Sequence, residues 1–222
     1  MDRIDVINYI FDKINNGIYL EIGVNRGVSF IGVNAKEKIG VDPVRPRLKL
    51  YRYLLMNRKA KYYRMTSDTF FENHTNLLID KGIGVAFVDG LHEYKQSLRD
   101  VQNCLKYLRP NGVIIMHDCN PLSKSAAMSI FNHVGDKDLG KRAGAWNGDV
   151  WKTVIHLRST YNDLNIFVLN CDEGLGIITR GMTEKQLPVA VADIDKMTYE
   201  ELEGNRSYFL NLKNPDYLKE LM

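Results

Sequence analysis

Apolar positions along the chain follow two spacings. Ile4, Ile7, Ile10, Phe11 and Ile14 recur every three or four residues, which predicts an amphipathic first helix. Five short apolar runs follow: "GIYLEIG" at 17 to 23, "KIGVDP" at 38 to 43, "KYYRMTS" at 61 to 67, "GVAFVDG" at 84 to 90 and "GVIIMHD" at 112 to 118. Each reads as a strand, and the stretches between them have helical periodicity. The clearest, "EYKQSLRDVQNCLKYLRPNG", puts Leu98, Val101, Leu105 and Leu108 on one face; its "RPNG" is the expected stop, because proline and glycine both break helices. Strands alternating with helices predict an α/β fold, a mostly parallel sheet with helices on both faces.

Past Asp118 the pattern changes. Turn residues and a glycine-rich stretch from Gly135 to Gly148 predict a loop over a site. "DLNIFVLNCDEGLGIITRG", 163 to 181, then reads as a hairpin of two strands joined by "CDEG", closing the sheet with an antiparallel edge. The tail from Met182 begins with helical character. With no repeats and no low-complexity linker, residues 1–222 are expected to form a single domain.

Composition narrows the class of protein without naming a partner. Hydrophobic residues make up 45% and charged residues 26% of the 222, ordinary for a globular chain, and net charge is only +3. The one basic concentration, "RPRLKLYRYLLMNRKAKYYR" at 45 to 64, mixes Arg and Lys with Tyr and Leu. A solvated amphipathic helix is expected there, not a nucleic-acid contact. Cys104, Cys119 and Cys171 are widely spaced with no CxxC pair, which argues against a disulfide framework or zinc cluster and for a reducing, cytoplasmic setting. The N-terminal stretch lacks an apolar run of signal or membrane-spanning length, so export and membrane insertion are not expected.

The chemistry gathers where the strands stop, which in open α/β sheets is where ligands bind. Strand one ends in "EIGVNRG" with Glu21, Gly23 and Gly27; strand two on Asp42; strand three on Ser67 and Asp68; strand four on Asp89; strand five on His117 and Asp118. Taken singly, each carboxylate has a bland reading as a helix cap. The coincidence carries the inference. Glycines let backbone approach a ligand, and Asp42, 21 positions after Glu21, stands where an acid can accept both hydroxyls of a ribose. The spacing is neither GxGxxG nor a phosphate loop, so NAD and ATP fit poorly and a smaller, cationic nucleoside cofactor fits better.

With "YLEIGVNRG" as glycine loop and "IGVDP" as ribose acid, residues 17 to about 118 resemble the class I S-adenosylmethionine-dependent methyltransferases. "FVDGLHEYKQSLRDVQNCLKYLRPNGVIIMHD" further resembles the branch of macrolide sugar O-methyltransferases and proteins labelled cephalosporin hydroxylases. The resemblance implies a Rossmann-like, seven-stranded, mostly parallel sheet with an antiparallel last strand. It also implies S-adenosylmethionine as cofactor and a small-molecule or saccharide hydroxyl as acceptor. Glu21, Gly23, Asn25 and Gly27 would line the methionine part, Asp42 the ribose, and Ser67 and Asp68 the adenine. Asp89 would serve both cofactor and catalysis, with His92 as general base.

Asp89, His117 and Asp118 match the position of a divalent metal site in that branch. His117, however, stands where the sugar enzymes have an acid, so Mg²⁺ loses an oxygen ligand and a transition metal becomes an alternative. Other readings stay open: methylation of a carboxyl or amine, a cofactor-binding protein without turnover, and a non-haem iron oxygenase, against which the glycine loop speaks. His92 as a helix cap, and Trp146 or Asp149 as acceptor contacts, are further alternatives. His74, His133 and His156 fall in no constellation. A homo-oligomer is compatible with all of these.

Overall fold

The structure, a computed structural model, describes residues 1–14, 17–129 and 146–221. The chain forms two compact units, Met1–Gly90 with Arg99–Ile115, and Leu91–Leu98 with Met116–Met222.

The first unit opens with helix α1 (Arg3–Ile14), which buries Val6, Ile7 and Ile10 as its spacing predicts. Strand β1 (Ile18–Ile22) is buried at every position, the mark of a strand covered on both faces. Helix α2 (Val28–Gly32), β2 (Lys38–Val41), α3 (Leu48–Met56), β3 (Ala60–Tyr63), α4 (Ser67–Asn73), α5 (Thr75–Lys81) and β4 (Ile83–Val88) follow. Helix α6 (Tyr94–Tyr107) gives its Arg99–Tyr107 part to this unit, and β5 (Leu108–Met116) comes next. Strand order is β3-β2-β1-β4-β5. Strands β1, β2, β3 and β4 pair in parallel, with Leu20 opposite Ile39 on one side and Ala86 on the other. Phe30, Phe70 and Phe87 are fully buried around them, each worth roughly 1.5–3 kcal/mol of transfer free energy.

The second unit contains α7 (Trp151–Thr160), β6 (Leu164–Leu169), β7 (Leu175–Arg180), α8 (Val191–Ile194), α9 (Tyr199–Gly204), α10 (Arg206–Leu210), β8 (Leu212–Lys213) and α11 (Tyr217–Leu221). The expected hairpin is present: β6 and β7 pair antiparallel from Leu164↔Arg180 to Leu169↔Leu175. Asp172, Glu173 and Gly174 in its turn all have positive φ. The tail adds β8, parallel to β6, so the described residues hold eight strands where seven were expected.

Three local expectations shift. Helix α6 ends at Tyr107, just ahead of "RPNG" as expected, but β5 starts at Leu108, earlier than position 112, and includes half-buried Arg109 and exposed Pro110 and Asn111, where a proline without an N–H is tolerated. Strand three ends at Tyr63, and Ser67 and Asp68 open α4, because the Thr66 hydroxyl accepts the Thr69 N–H and caps that helix. Most of the expected glycine-rich loop, with His133, lies outside the described residues. No described helix is long and apolar enough to cross a membrane. Cys104 and Cys119 are buried, and Cys171 is half-buried.

One contact ties the first unit's strand ends together. Gly23 has φ +86, and a Cβ placed on it would fall 1.9 Å from the Asp89 carbonyl oxygen. Its N–H donates to Val41 O at 2.9 Å, and Asp89 N–H donates to Ile22 O at 2.9 Å. Gly23→Ala is therefore expected to cost about 3 kcal/mol or more, read as a lower denaturant midpoint at unchanged m-value. A midpoint equal to wild type would mean that the turn tolerates a side chain.

Candidate functional site

The residues expected to bind cofactor all belong to the first unit. After β1 the chain turns through Gly23, then Asn25 at φ 46 and Gly27 at φ 76. Asparagine tolerates the left-handed region better than most residues. Gly27 N–H closes the turn on Val24 O at 2.7 Å. Asp42, buried at the end of β2, holds this loop from the side: its Oδ2 accepts the Asn25 N–H and its Oδ1 the Val44 N–H, each at 2.7 Å. A carboxylate has about four lone-pair sites, so these bonds fix its plane and leave acceptor capacity for a ribose diol. Asp42 follows directly on β2, the strand end where the sequence puts it, but the sequence did not show this clamp, whose signal was the asparagine inside the glycine loop.

Glu21 is deeper than expected for a ligand contact. It is buried, and the Tyr19 hydroxyl donates to Oε2 at 2.5 Å. Burial pushes its carboxyl up to about 8, with the Asp89 charge adding, while the Tyr19 bond, Lys38 and Arg3 pull it down. Lys38, itself buried, donates from Nζ to Phe30 O at 2.8 Å. Asp89 faces Arg3 of α1 at 3.3 Å. Ser67 is buried at the start of α4, and Asp68 lies 3.7 Å from Arg99. A separate depression of about 640 Å³, lined by Gly17, Asn34, Glu37, Lys81 and Arg109, opens at the amino ends of these strands, away from the cofactor residues.

The acid–base residues form a second cluster, within the second unit. Asp118 sits at φ 61 just past β5, buried. Its Oδ2 lies 3.3 Å from His92 Nε2 and 3.0 Å from His117 Nδ1. Its Oδ1 accepts from the Asn147 amide at 2.7 Å. Burial opposes ionisation, but the His117 ring, the charge of His92 and the Asn147 amide together hold the Asp118 carboxyl below its usual range. His117 Nε2 faces Asp172 Oδ1 at 3.5 Å, so this ring lies between two carboxylates. The hairpin turn delivers Asp172 because Gly174 O and Glu173 O accept the Cys119 and Asn120 N–H groups.

His92 is anchored on its other side. Nδ1 lies 3.1 Å from Trp146 O, and the two rings stack at 5.1 Å. A carbonyl only accepts, so this contact assigns the proton to Nδ1 and turns Nε2 toward Asp118. Gly148, at φ +66, makes the arrangement possible: its Cβ would fall 1.8 Å from His92 O. Asp149 takes the bland role, capping α6 by accepting the Tyr94 N–H at 2.6 Å. His156 accepts or donates to the Tyr94 hydroxyl at 2.6 Å, and His74 packs on Tyr63 and Phe70.

Comparison with known proteins follows this geometry. Residues 20–119 match the family model described as a methyltransferase domain. The chain has the α/β, mostly parallel Rossmann-like fold of known methyltransferase structures. Cofactor-bound Rv0187 from MTB shares this fold at TM-score 0.56 and 12% identity, over 81% of each chain. TomG, an O-methyltransferase of Streptomyces achromogenes involved in tomaymycin synthesis and solved with SAM, aligns at 0.51 and 13% over 79% of this chain and 78% of its own. MycE, a methyltransferase of mycinamycin biosynthesis solved with Mg, SAH and mycinamycin VI, aligns at 0.50 and 11% over 82% of this chain, which spans 50% of MycE. At such identities the likeness is one of fold. A search of the curated proteins finds no match.

The raised Glu21 carboxyl has a measurable consequence for the stability of this fold. Folded, Glu21 keeps its proton to about pH 8, against an ordinary value of 4.5. Between those values the folded state holds the extra proton, so stability falls as pH rises. Glu21→Gln cannot ionise, and its melting temperature relative to wild type is expected to be higher at pH 8 than at pH 5. Equal differences at both pH values would mean that Glu21 is already ionised in the folded chain.

Proposed function

We propose that the chain, residues 1–222, is a single S-adenosylmethionine-dependent O-methyltransferase domain working in the cytoplasm on a hydroxyl of a sugar, glycan or small-molecule intermediate. The observation that carries this reading is the Asp42 carboxylate, buried and fixed by two backbone N–H groups beside the Gly23 turn. Bound there, S-adenosylmethionine supplies an electrophilic methyl group on a sulfonium. In this reading Gly23, Asn25 and Gly27 pass close to the methionine part, with Glu21 beneath them. Asp42 receives the ribose hydroxyls, and Ser67 and Asp68 border the adenine.

The acceptor hydroxyl must lose a proton as its oxygen bonds to the methyl carbon and the carbon–sulfur bond breaks. His92 Nε2 is the nitrogen left for that proton once Nδ1 is held on the Trp146 carbonyl. Asp118, 3.3 Å away and held ionised, stabilises the imidazolium that results. Positioning and proton removal are then the main contributions, the latter worth ~10²- to 10⁴-fold. MycE, which shares the fold, is solved with mycinamycin VI, and this supports a small-molecule acceptor.

One observation favours a second reading, with a divalent metal. Histidines that ligate metals commonly donate their other ring N–H to a carbonyl, as His92 does to Trp146, and Asp118 adds a carboxylate beside Nε2. Those two side chains would hold the ion, which would lower the acceptor's pKa. His117 fits this role less well than the sequence suggested, since its ring nitrogens face Asp118 and Asp172.

Calorimetric titration with S-adenosylhomocysteine tests the central reading. Micromolar binding is expected, weakened about tenfold or more in Asp42→Ala, as for loss of a hydrogen bond to a charged group. No binding by the wild type would refute the cofactor assignment, and equal affinity in the variant would refute the ribose contact. His92→Ala is expected to bind S-adenosylhomocysteine as wild type does, and to lose ~10²-fold or more of methyl transfer across a panel of saccharide hydroxyls. Repeating both with Mg²⁺ or Mn²⁺ separates the two readings, because only a metal enzyme is activated by the ion in a manner that Asp118→Ala abolishes.

A further inference from the structure

Helix α3 presents a face that the proposed chemistry does not use. Of its residues only Leu50 is buried, and it packs under Gly27 of the cofactor loop, 3.0 Å from where that glycine's Cβ would stand. On the outer side Leu48, Tyr51 and Leu55, spaced i, i+3 and i+7, are 63%, 49% and 67% exposed, and Met56 is 88% exposed. That spacing makes one continuous stripe. Val44, also exposed at 65%, lies just before the helix. Single exposed apolar residues are ordinary, but five on one short segment form a patch that calls for a partner.

The charge around the stripe identifies that partner. "RPRLKLYRYLLMNRKAKYYR" holds eight Lys and Arg and no Asp or Glu, while the whole chain carries only +3. All eight are exposed, and none joins an ion pair among the described residues. Lys49 and Arg52 flank the stripe directly on the helix. An apolar stripe bordered by Lys and Arg is the pattern of a helix that lies in a membrane interface, its side chains dipping below the headgroups while its cations meet anionic lipid.

We propose that α3 and its flanks dock the protein, peripherally, on an anionic bilayer surface. A second copy is disfavoured because a twofold contact would set the same cations against one another. Nucleic acid is disfavoured because four of the five exposed apolar residues, Val44, Leu48, Leu55 and Met56, neither stack on bases nor hydrogen-bond to them, which leaves Tyr51 alone as a stacking ring. Since Leu50 of the same helix supports Gly27, docking would carry the cofactor loop to the membrane surface. This inference does not depend on the acceptor or on turnover.

The test is flotation of the full chain with vesicles of phosphatidylcholine alone and with 30% phosphatidylglycerol, at low and high salt. Binding only to the anionic vesicles is expected, with loss at high salt. Arg47→Glu with Arg52→Glu is expected to lower partitioning by at least about tenfold, as removal of two cations near a charged surface implies. Leu55→Ser with Met56→Ser is expected to lower it about fivefold or more while melting temperature stays that of wild type. All four positions are exposed, so folding should survive. The proposal is overturned by absence of binding to anionic vesicles, by equal binding to neutral ones, or by wild-type partitioning of both variants. It is equally overturned if the variants leave vesicle binding intact and instead abolish self-association in sedimentation or capture of an RNA oligonucleotide.

Discussion

The close approach of Gly23 to the Asp89 carbonyl is the constraint on which the first unit's site depends. Three strand ends meet there: β1 turns at Gly23, β2 accepts its N–H through Val41 O, and β4 ends on Asp89, whose N–H returns to Ile22 O. No side chain fits at position 23. Because backbone fills that space, the loop that follows must pass Asp42, and the Asp42 carboxylate can reach the Asn25 and Val44 amides together. A rigid acid beside a bare stretch of backbone is what a nucleoside with a charged tail requires, and it comes from packing before any ligand is considered.

Two buried carboxylates show how environment divides roles between chemically similar groups. Glu21 is surrounded by β1 neighbours and one tyrosine hydroxyl, so burial dominates and its proton is retained to about pH 8. Asp118 is also buried, but two imidazoles and an amide converge on it and hold it ionised. An ionised group in such a place needs paired and hydrogen-bonded surroundings. The positive φ of Asp118, Asp172 and Glu173 reflects the turns that bring those surroundings into reach. His92 inherits its orientation from this arrangement, with a carbonyl on one nitrogen and a carboxylate beside the other.

Helix α3 joins the loop at 23–27 to the surface. Its inward side offers Leu50 to Gly27; its outward side offers Leu48, Tyr51 and Leu55 among cations. The basic stretch read from sequence as a solvated helix is thus helical over Leu48–Met56, but its exposed face is as apolar as it is charged. Spacing alone did not reveal this, because three large hydrophobic side chains at helical intervals look the same whether they face a core or solvent.

The order of strands and helices, the antiparallel hairpin and the polar strand ends were legible in the chain, because burial on both faces writes strands as continuous apolar runs and their ends as abrupt polar stops. Asp42, Gly23 and Asp89 could be named for that reason. Boundaries set by single hydrogen bonds could not: Thr66 moves Ser67 and Asp68 from a strand end into α4, and the proline of "RPNG" sits inside β5. Nor could the pairing of His92 with Asp118, the placing of His117 against Asp172, or the Glu21 proton. Those depend on which groups lie within a few ångströms across 26 to 55 positions of chain, and on how completely water is removed around them. Local periodicity fixes the elements; only their tertiary packing decides which charges meet and which protons stay.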